Sequence, residues 1–148
     1  MKMSPKYKAA ILVGMQVIWI LVLMGKIYIL HCDLWAFVIS FFGIVLGSWA
    51  VVTMKLDNLN IIPDVRQDAR LVSKGPYKII RHPMYCAILL TFLPYVIDRP
   101  STFMATFFTL LLATLLIKLN YEEHLLRNHF TDYDVYSKNT WRLIPFIY

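Results

Sequence analysis

Residues 34–54 run for 21 positions without a charged side chain. At 1.5 Å per residue such a helix is long enough to cross a hydrocarbon core of about 30 Å. The composition agrees with a membrane protein. Only 16% of the 148 residues are charged, where a soluble domain carries about 25%, and the mean hydropathy is +0.58. Residues 9–30 form a second such run, in which only Gln16 and Lys26 are strongly polar. Lys2, Lys6 and Lys8 precede it as in a signal peptide, but no small-residue cleavage site follows, so the run reads as a retained span. Lys26 lies near its far end and can snorkel outward.

The second half repeats the pattern less cleanly. Residues 84–97 are apolar for about 21 Å of helix, short for a crossing. Asp98-Arg99-Pro100 turns the chain, and residues 101–117 are uncharged again. These two segments read as a helical hairpin. Gly43-x-x-x-Gly47 puts two small residues on one face of the 34–54 span, and predicts close packing against the first or fourth span rather than dimerisation. The sequence therefore predicts an all-α integral membrane bundle: one domain over residues 1–148 with four transmembrane helices. A loop over residues 55–83 joins the two pairs, and a C-terminal segment, 118–148, is partly helical and interfacial. In that arrangement 13 of the 15 cations flank one face, and the positive-inside rule places both termini and the central loop in the cytoplasm. Cys32 and Cys86 fall near opposite faces, too far apart for a disulfide.

The central loop holds a conspicuous stretch, residues 75–85, with Gly75, Pro76, Pro83, three cations and two tyrosines. Neither proline can lie inside a regular helix. Gly75 and His82, each preceding a proline, are biased towards extended backbone. The stretch reads as a stiff elbow that delivers Tyr85 to the start of the next apolar run. Lys118, Glu122 and Glu123 follow the fourth span, and Arg81 with His82 precedes the third, so the hairpin brings both groups to one edge. Lys118 and Glu122 are four apart and share a helical face. Glu123 points about 100° away, and is expected to be an exposed charge. Such a set reads either as interfacial anchors around a surface ion pair or as a pocket for a charged, amphipathic ligand.

Familiar chemistries find no support. The five glycines make neither a P-loop nor a G-x-G-x-x-G, and no G-x-S-x-G or H-E-x-x-H occurs. His82, His124 and His129 lack ligand spacing, so no metal site is expected. Nucleic acid is not an expected partner, because topology accounts for the cations and anionic lipid headgroups are nearer.

Gly75-Pro76-Tyr77, Arg81-His82-Pro83-Met84-Tyr85, Glu122-Glu123 with Leu125-Leu126, then Phe130, Tyr133, Tyr136 and Ile144-Pro145-Phe146 resemble one family. It is the superfamily of isoprenylcysteine carboxyl methyltransferases and phospholipid methyltransferases, and the resemblance covers the chain from about Leu71 onward. It implies S-adenosyl-L-methionine as cofactor, held by the elbow and the C-terminal segment without a Rossmann sheet. By similarity, Ala69, Arg70, Leu71, Val72, Tyr77, His82, Pro83, Met84, Tyr85 and Glu122 are cofactor-binding candidates. Lys118 and Arg81 are the candidate catalytic cations. Lys118 stands where the prenylcysteine enzymes have an arginine associated with substrate; lysine cannot grip a carboxylate in planar bidentate fashion, which argues against a prenylcysteine acceptor. The implied activity is methyl transfer to a lipidic or isoprenoid-like small molecule, with membrane lipids as surroundings. R-H-P-x-Y alone also resembles sterol-reductase-type enzymes that use NADPH, and a non-catalytic membrane scaffold is the other alternative.

Overall fold

The computed structural model describes residues 5–29, 33–54 and 71–148. They form five α-helices, α1 (Pro5–Ile29), α2 (Leu34–Met54), α3 (Pro83–Asp98), α4 (Thr102–His129) and α5 (Tyr133–Lys138), and one 3₁₀ turn over Gly75–Lys78. There is no strand among the described residues beyond a single parallel bridge between Ile80 and Trp141. Three helices, α1, α2 and α4, are long and apolar enough to cross a membrane. The third expected span is a helix, but its 16 residues give about 24 Å, short of the hydrocarbon core.

Two antiparallel pairings build the bundle. On α2, a Cβ added at Gly43 would sit 2.6 Å from Thr91 Oγ1 and 2.8 Å from Thr91 N, and one added at Gly47 would sit 3.3 Å from the Ala87 Cβ. The two glycines thus let the α2 backbone press against α3, whereas the sequence had suggested the first or fourth span. Ser40 Oγ donates to Thr91 O at 2.8 Å in the same seam. That bond falls one turn before Pro94, which has removed a backbone donor from the interior of α3. Across the other seam, Trp19 Nε1 donates to Thr114 Oγ1 at 3.2 Å and Lys118 Nζ donates to Gln16 Oε1 at 3.0 Å. Leu23, Leu111, Leu115 and Leu119 are fully buried in the core.

One end of the bundle carries the starts of α2 and α4. Asp33 N donates to Asp98 Oδ2 at 3.1 Å, and Arg99 Nη2 lies 3.6 Å from Asp33 Oδ1. Lys26, near the same end, sets its Nζ 5.8 Å from the Phe103 ring centre. The elbow and the C-terminal part of α4 occupy the other end. Here α4 departs from expectation: it does not stop near residue 117 but continues as one helix to His129. No Gly or Pro interrupts it after its Ser101 cap, whose side chain accepts from Met104 N at 3.2 Å. What had read as the start of an interfacial flap is the last three turns of this helix. Only residues beyond 129 leave it, through α5 to a terminal strap.

Candidate functional site

The elbow is fixed by its glycine. Gly75 has φ +56°, left-handed rather than the extended backbone expected before a proline. A Cβ there would also meet Thr53 Oγ1 at 2.8 Å and Trp49 Nε1 at 3.3 Å. Pro76 then sits in the first turn of the 3₁₀ segment and Pro83 in the first turn of α3, where a missing N–H costs nothing. The terminal strap pairs with the elbow. Trp141 N donates to Ile79 O at 2.9 Å, Arg81 N to Trp141 O at 2.7 Å, and His82 N to Arg142 O at 3.1 Å. Tyr136 OH adds a bond to Tyr77 O at 2.7 Å.

This scaffold gives the two adjacent acids of α4 opposite environments. Glu122 is partly open, with a side chain 23% exposed. Its Oε1 accepts from Tyr85 OH at 2.5 Å, its Oε2 lies 3.7 Å from His82 Nδ1, and Lys118 Nζ is 4.0 Å away. The Tyr85 ring stacks on His82 with centres 5.4 Å apart, and Lys118 Nζ lies 5.1 Å from the Tyr85 ring centre. Glu123 is buried, with a side chain 4% exposed. It meets Arg81 Nε at 2.8 Å, Arg142 Nη2 at 3.0 Å and His82 Nε2 at 3.5 Å. The expectation that Glu123 is an exposed charge is therefore overturned. The 100° between the acids holds, but the strap covers the second direction and supplies Arg142 to it.

Of the two candidate catalytic cations, Arg81 is spent within the protein. Besides Glu123, its Nη1 donates to Ser137 O at 2.7 Å and to Thr140 O, at the end of α5. Lys118 is buried between α1 and α4 and adjoins the Glu122 cluster. Among the cofactor candidates, Tyr77, His82, Pro83 and Tyr85 are buried together beside Glu122, while Met84 is half-buried. Leu71 and Val72 are half-buried in the segment leading to the elbow. Ala69 and Arg70 lie outside the described residues, as do Cys32 and most of the central loop. Sequence reasoning missed Arg142 and the positions taken by Gln16 and Glu123. Gln16, an amide inside an apolar run, was the one visible signal.

Burial holds three phenols of the elbow and α5 protonated beyond the usual range. Burial raises Tyr77 and Tyr133, and pushes Tyr136 up to about 12 against the pull of Arg81. Tyr77 is 4% exposed, and its hydroxyl has no hydrogen-bond partner among the described residues. A buried donor left unmade in this way is costly, and an acceptor on a bound ligand would satisfy it. With a half-open carboxylate and stacked rings beside it, the site fits a cationic ligand that also carries polar groups, as S-adenosylmethionine does.

The family model for phospholipid methyltransferase matches residues 34–133, from the start of α2 to the start of α5. The match begins earlier than the motif resemblance and leaves out both α1 and the strap. The chain matches no curated protein and no solved structure.

Proposed function

The chain belongs to the phospholipid methyltransferase family and is a membrane methyltransferase, and on that premise we propose that it moves a methyl group from S-adenosylmethionine to a lipidic, amphipathic acceptor at the cytoplasmic face. The observation that carries this reading is the half-open Glu122 carboxylate, gripped by Tyr85 and flanked by His82, next to a Tyr77 hydroxyl that has no hydrogen-bond partner among the described residues. Bound S-adenosylmethionine would supply a methyl group on a sulfonium, which an acceptor nucleophile displaces in line to leave a neutral thioether.

The protein's own part is to hold and to exclude. Glu122 offers negative charge to the cationic cofactor, and the Tyr85 hydroxyl fixes the direction of that carboxylate. The Tyr77 hydroxyl donates to a polar atom of the bound molecule. Because most of the site is buried, these interactions are stronger than they would be in water. Leu71 and Val72 approach the cofactor from the loop side. Arg81 acts as a positioning residue, tying the elbow to α4 and α5 through Glu123 and two carbonyls. Lys118 faces the acceptor. Holding donor and acceptor in line supplies most of what such a displacement needs.

Charge placement supports both termini and the central loop in the cytoplasm, and α3 as a fourth, shallow crossing. In this arrangement the acceptor approaches from the bilayer and the cofactor from the cytosol. The decisive experiment is calorimetric titration of the purified protein in detergent with S-adenosylmethionine and, separately, NADPH. Micromolar binding of the first with none of the second is expected. The reverse result would replace methyl transfer by the reductase chemistry that R-H-P-x-Y also resembles.

A further inference from the structure

The terminal strap ends in apolar side chains that nothing among the described residues covers. Phe146 is 86% exposed and Ile147 76%, and Trp141 and Ile144 are exposed as well. The Trp141 and Phe146 rings meet with centres 5.5 Å apart, so these side chains form a patch. A lone exposed apolar residue needs no explanation, but a contiguous group of them does.

The depth of the patch follows from the direction of the strap. The bridge between Ile80 and Trp141 is parallel, so residues 141–143 run the same way as residues 79–82, which lead straight into α3. Arg142 Nη1 reaches Asn120 Oδ1 at 3.4 Å, and Asn120 lies three residues beyond the uncharged run that ends at 117. That is about 4.5 Å of helix, less than one turn. Leu143, next along the strap, is buried in the same core cluster as Leu115 and Leu119. The residues that follow stand level with the ends of the apolar runs in α3 and α4, where hydrocarbon gives way to headgroups.

The turn that presents the patch is built as one piece with the site. Phe146 has φ +67°, a left-handed backbone that a bulky residue adopts only when its surroundings impose it. Here Tyr148 N donates to Ile144 O at 3.0 Å, while Leu143 N and Ile144 N donate to Tyr148 O at 2.8 and 3.0 Å. Arg142 Nη1 donates to Tyr148 OH at 2.7 Å, and its guanidinium lies 5.2 Å from that ring's centre. The same arginine meets Glu123 through Nη2 at 3.0 Å.

We propose that this turn is a clasp for the lipid surface: Phe146 and Ile147, with Trp141 and Ile144, dip into the boundary between acyl chains and headgroups, and that contact holds Arg142 on Glu123 and keeps the site closed. The partner is the bilayer itself, not a molecule bound in the site, and the inference stands whichever cofactor the site takes. Aromatic and branched aliphatic side chains suit this layer. Lys74, Lys78 and Lys138, all exposed on the elbow and α5, add positive charge that anionic headgroups attract. A contact that only the closed strap can make favours the closed strap, whereas one made equally by both forms would shift nothing.

The test uses the full chain in lipid nanodiscs, with Cys32→Ser and Cys86→Ala removing the native thiols. A nitroxide on Phe146→Cys or Ile147→Cys is read for collision with oxygen, which concentrates in lipid, and with a water-soluble nickel chelate. Both labels are expected to favour oxygen, as does one on Ile18→Cys in the middle of α1, while one on Asp134→Cys favours nickel. Labels at 146 and 147 as open to nickel as the label at 134 overturn the proposal. Labels closed to both reagents overturn it too, since a second protein surface then covers the turn. The link to the site is read by hydrogen exchange in protein without labels. The amides of Arg81, His82 and Trp141 carry the bonds between strap and elbow. In the Phe146→Asn, Ile147→Ser double variant they are expected to exchange about tenfold or more faster than in the wild type, with the amides of α1 and α4 unchanged. Asparagine accepts left-handed backbone more readily than phenylalanine, so strain cannot account for that loss. Wild-type exchange at these amides in the double variant overturns the coupling of lipid contact to site closure.

Discussion

Glu123→Gln and Glu122→Gln should separate holding the site together from holding its ligand. At position 123 the carboxylate counters two guanidinium groups, Arg81 at 2.8 Å and Arg142 at 3.0 Å. An amide there keeps one oxygen for Arg81 but turns a donor towards the other arginine. Arg81, with a side chain 9% exposed, then keeps its charge without a counter-ion. Removing one partner of a buried ion pair costs about 3–5 kcal/mol. Arg81 retains the carbonyls of Ser137 and Thr140, so the lower end of that range applies. For a chain near this length each kcal/mol moves the melting temperature by about 2–4 °C, giving a fall of about 6–12 °C. Glu122→Gln removes a part-exposed charge but keeps an amide oxygen to accept from Tyr85 OH, so it costs no more than about 1 kcal/mol of stability. Its effect falls on S-adenosylmethionine, whose affinity drops about ten- to a hundredfold. Thermal melts and calorimetric titrations of both proteins in one detergent give the two numbers for each. A Glu123→Gln protein that melts within about 2 °C of wild type refutes the stabilising role of the Arg81–Glu123–Arg142 contacts. If instead Glu123→Gln loses affinity while melting normally, the acids have been assigned to the wrong roles.

Three further outcomes follow from the packing and the phenols. Gly43→Ala forces a methyl group against Thr91 and should destabilise the bundle by about 1–3 kcal/mol in a thermal melt, whereas a dimer-only role for this face would leave the monomer's stability unchanged. Tyr77→Phe deletes a buried hydroxyl that has no partner among the described residues, so stability should hold or rise while cofactor affinity falls; unchanged affinity would show that this hydroxyl meets no ligand. The raised phenols of Tyr77, Tyr133 and Tyr136 keep protons that an unfolded chain releases as pH passes the ordinary tyrosine value of 10.0. Stability is therefore undiminished by them below that pH and declines above it. Tyrosinate absorbance followed with far-UV circular dichroism should show these phenols ionising only as helix is lost, and their full titration with the helices intact would contradict the burial.

The helices were legible because uncharged runs of about twenty residues leave a chain little choice. The cluster of Tyr85, His82, Lys118 and Glu122 was legible because two prolines and an i,i+4 pair fix each half locally and the hairpin of apolar segments brings the halves to one edge. Glu123 was not. Its burial depends on Arg142, brought over α4 by a strap whose pairing with residues 79–82 has no local signature. The partner of the Gly43 face was hidden for a related reason: small residues announce a close approach but do not say which helix makes it. The continuation of α4 past Lys118 went unread because polarity was taken for an ending, although only Gly, Pro or a cap ends a helix.

The bridge between Ile80 and Trp141 also bears on how the protein comes into being. Membrane helices can insert one after another as the ribosome delivers them, but the elbow, made early, waits about sixty residues for the segment that closes it. A nascent chain that has already formed its three long apolar helices still has Arg81 and Glu123 without Arg142, Ser137 and Thr140 around them. Competence thus arrives as a late, discrete event in synthesis, and a product broken off after α4 is a membrane-inserted chain with no assembled site.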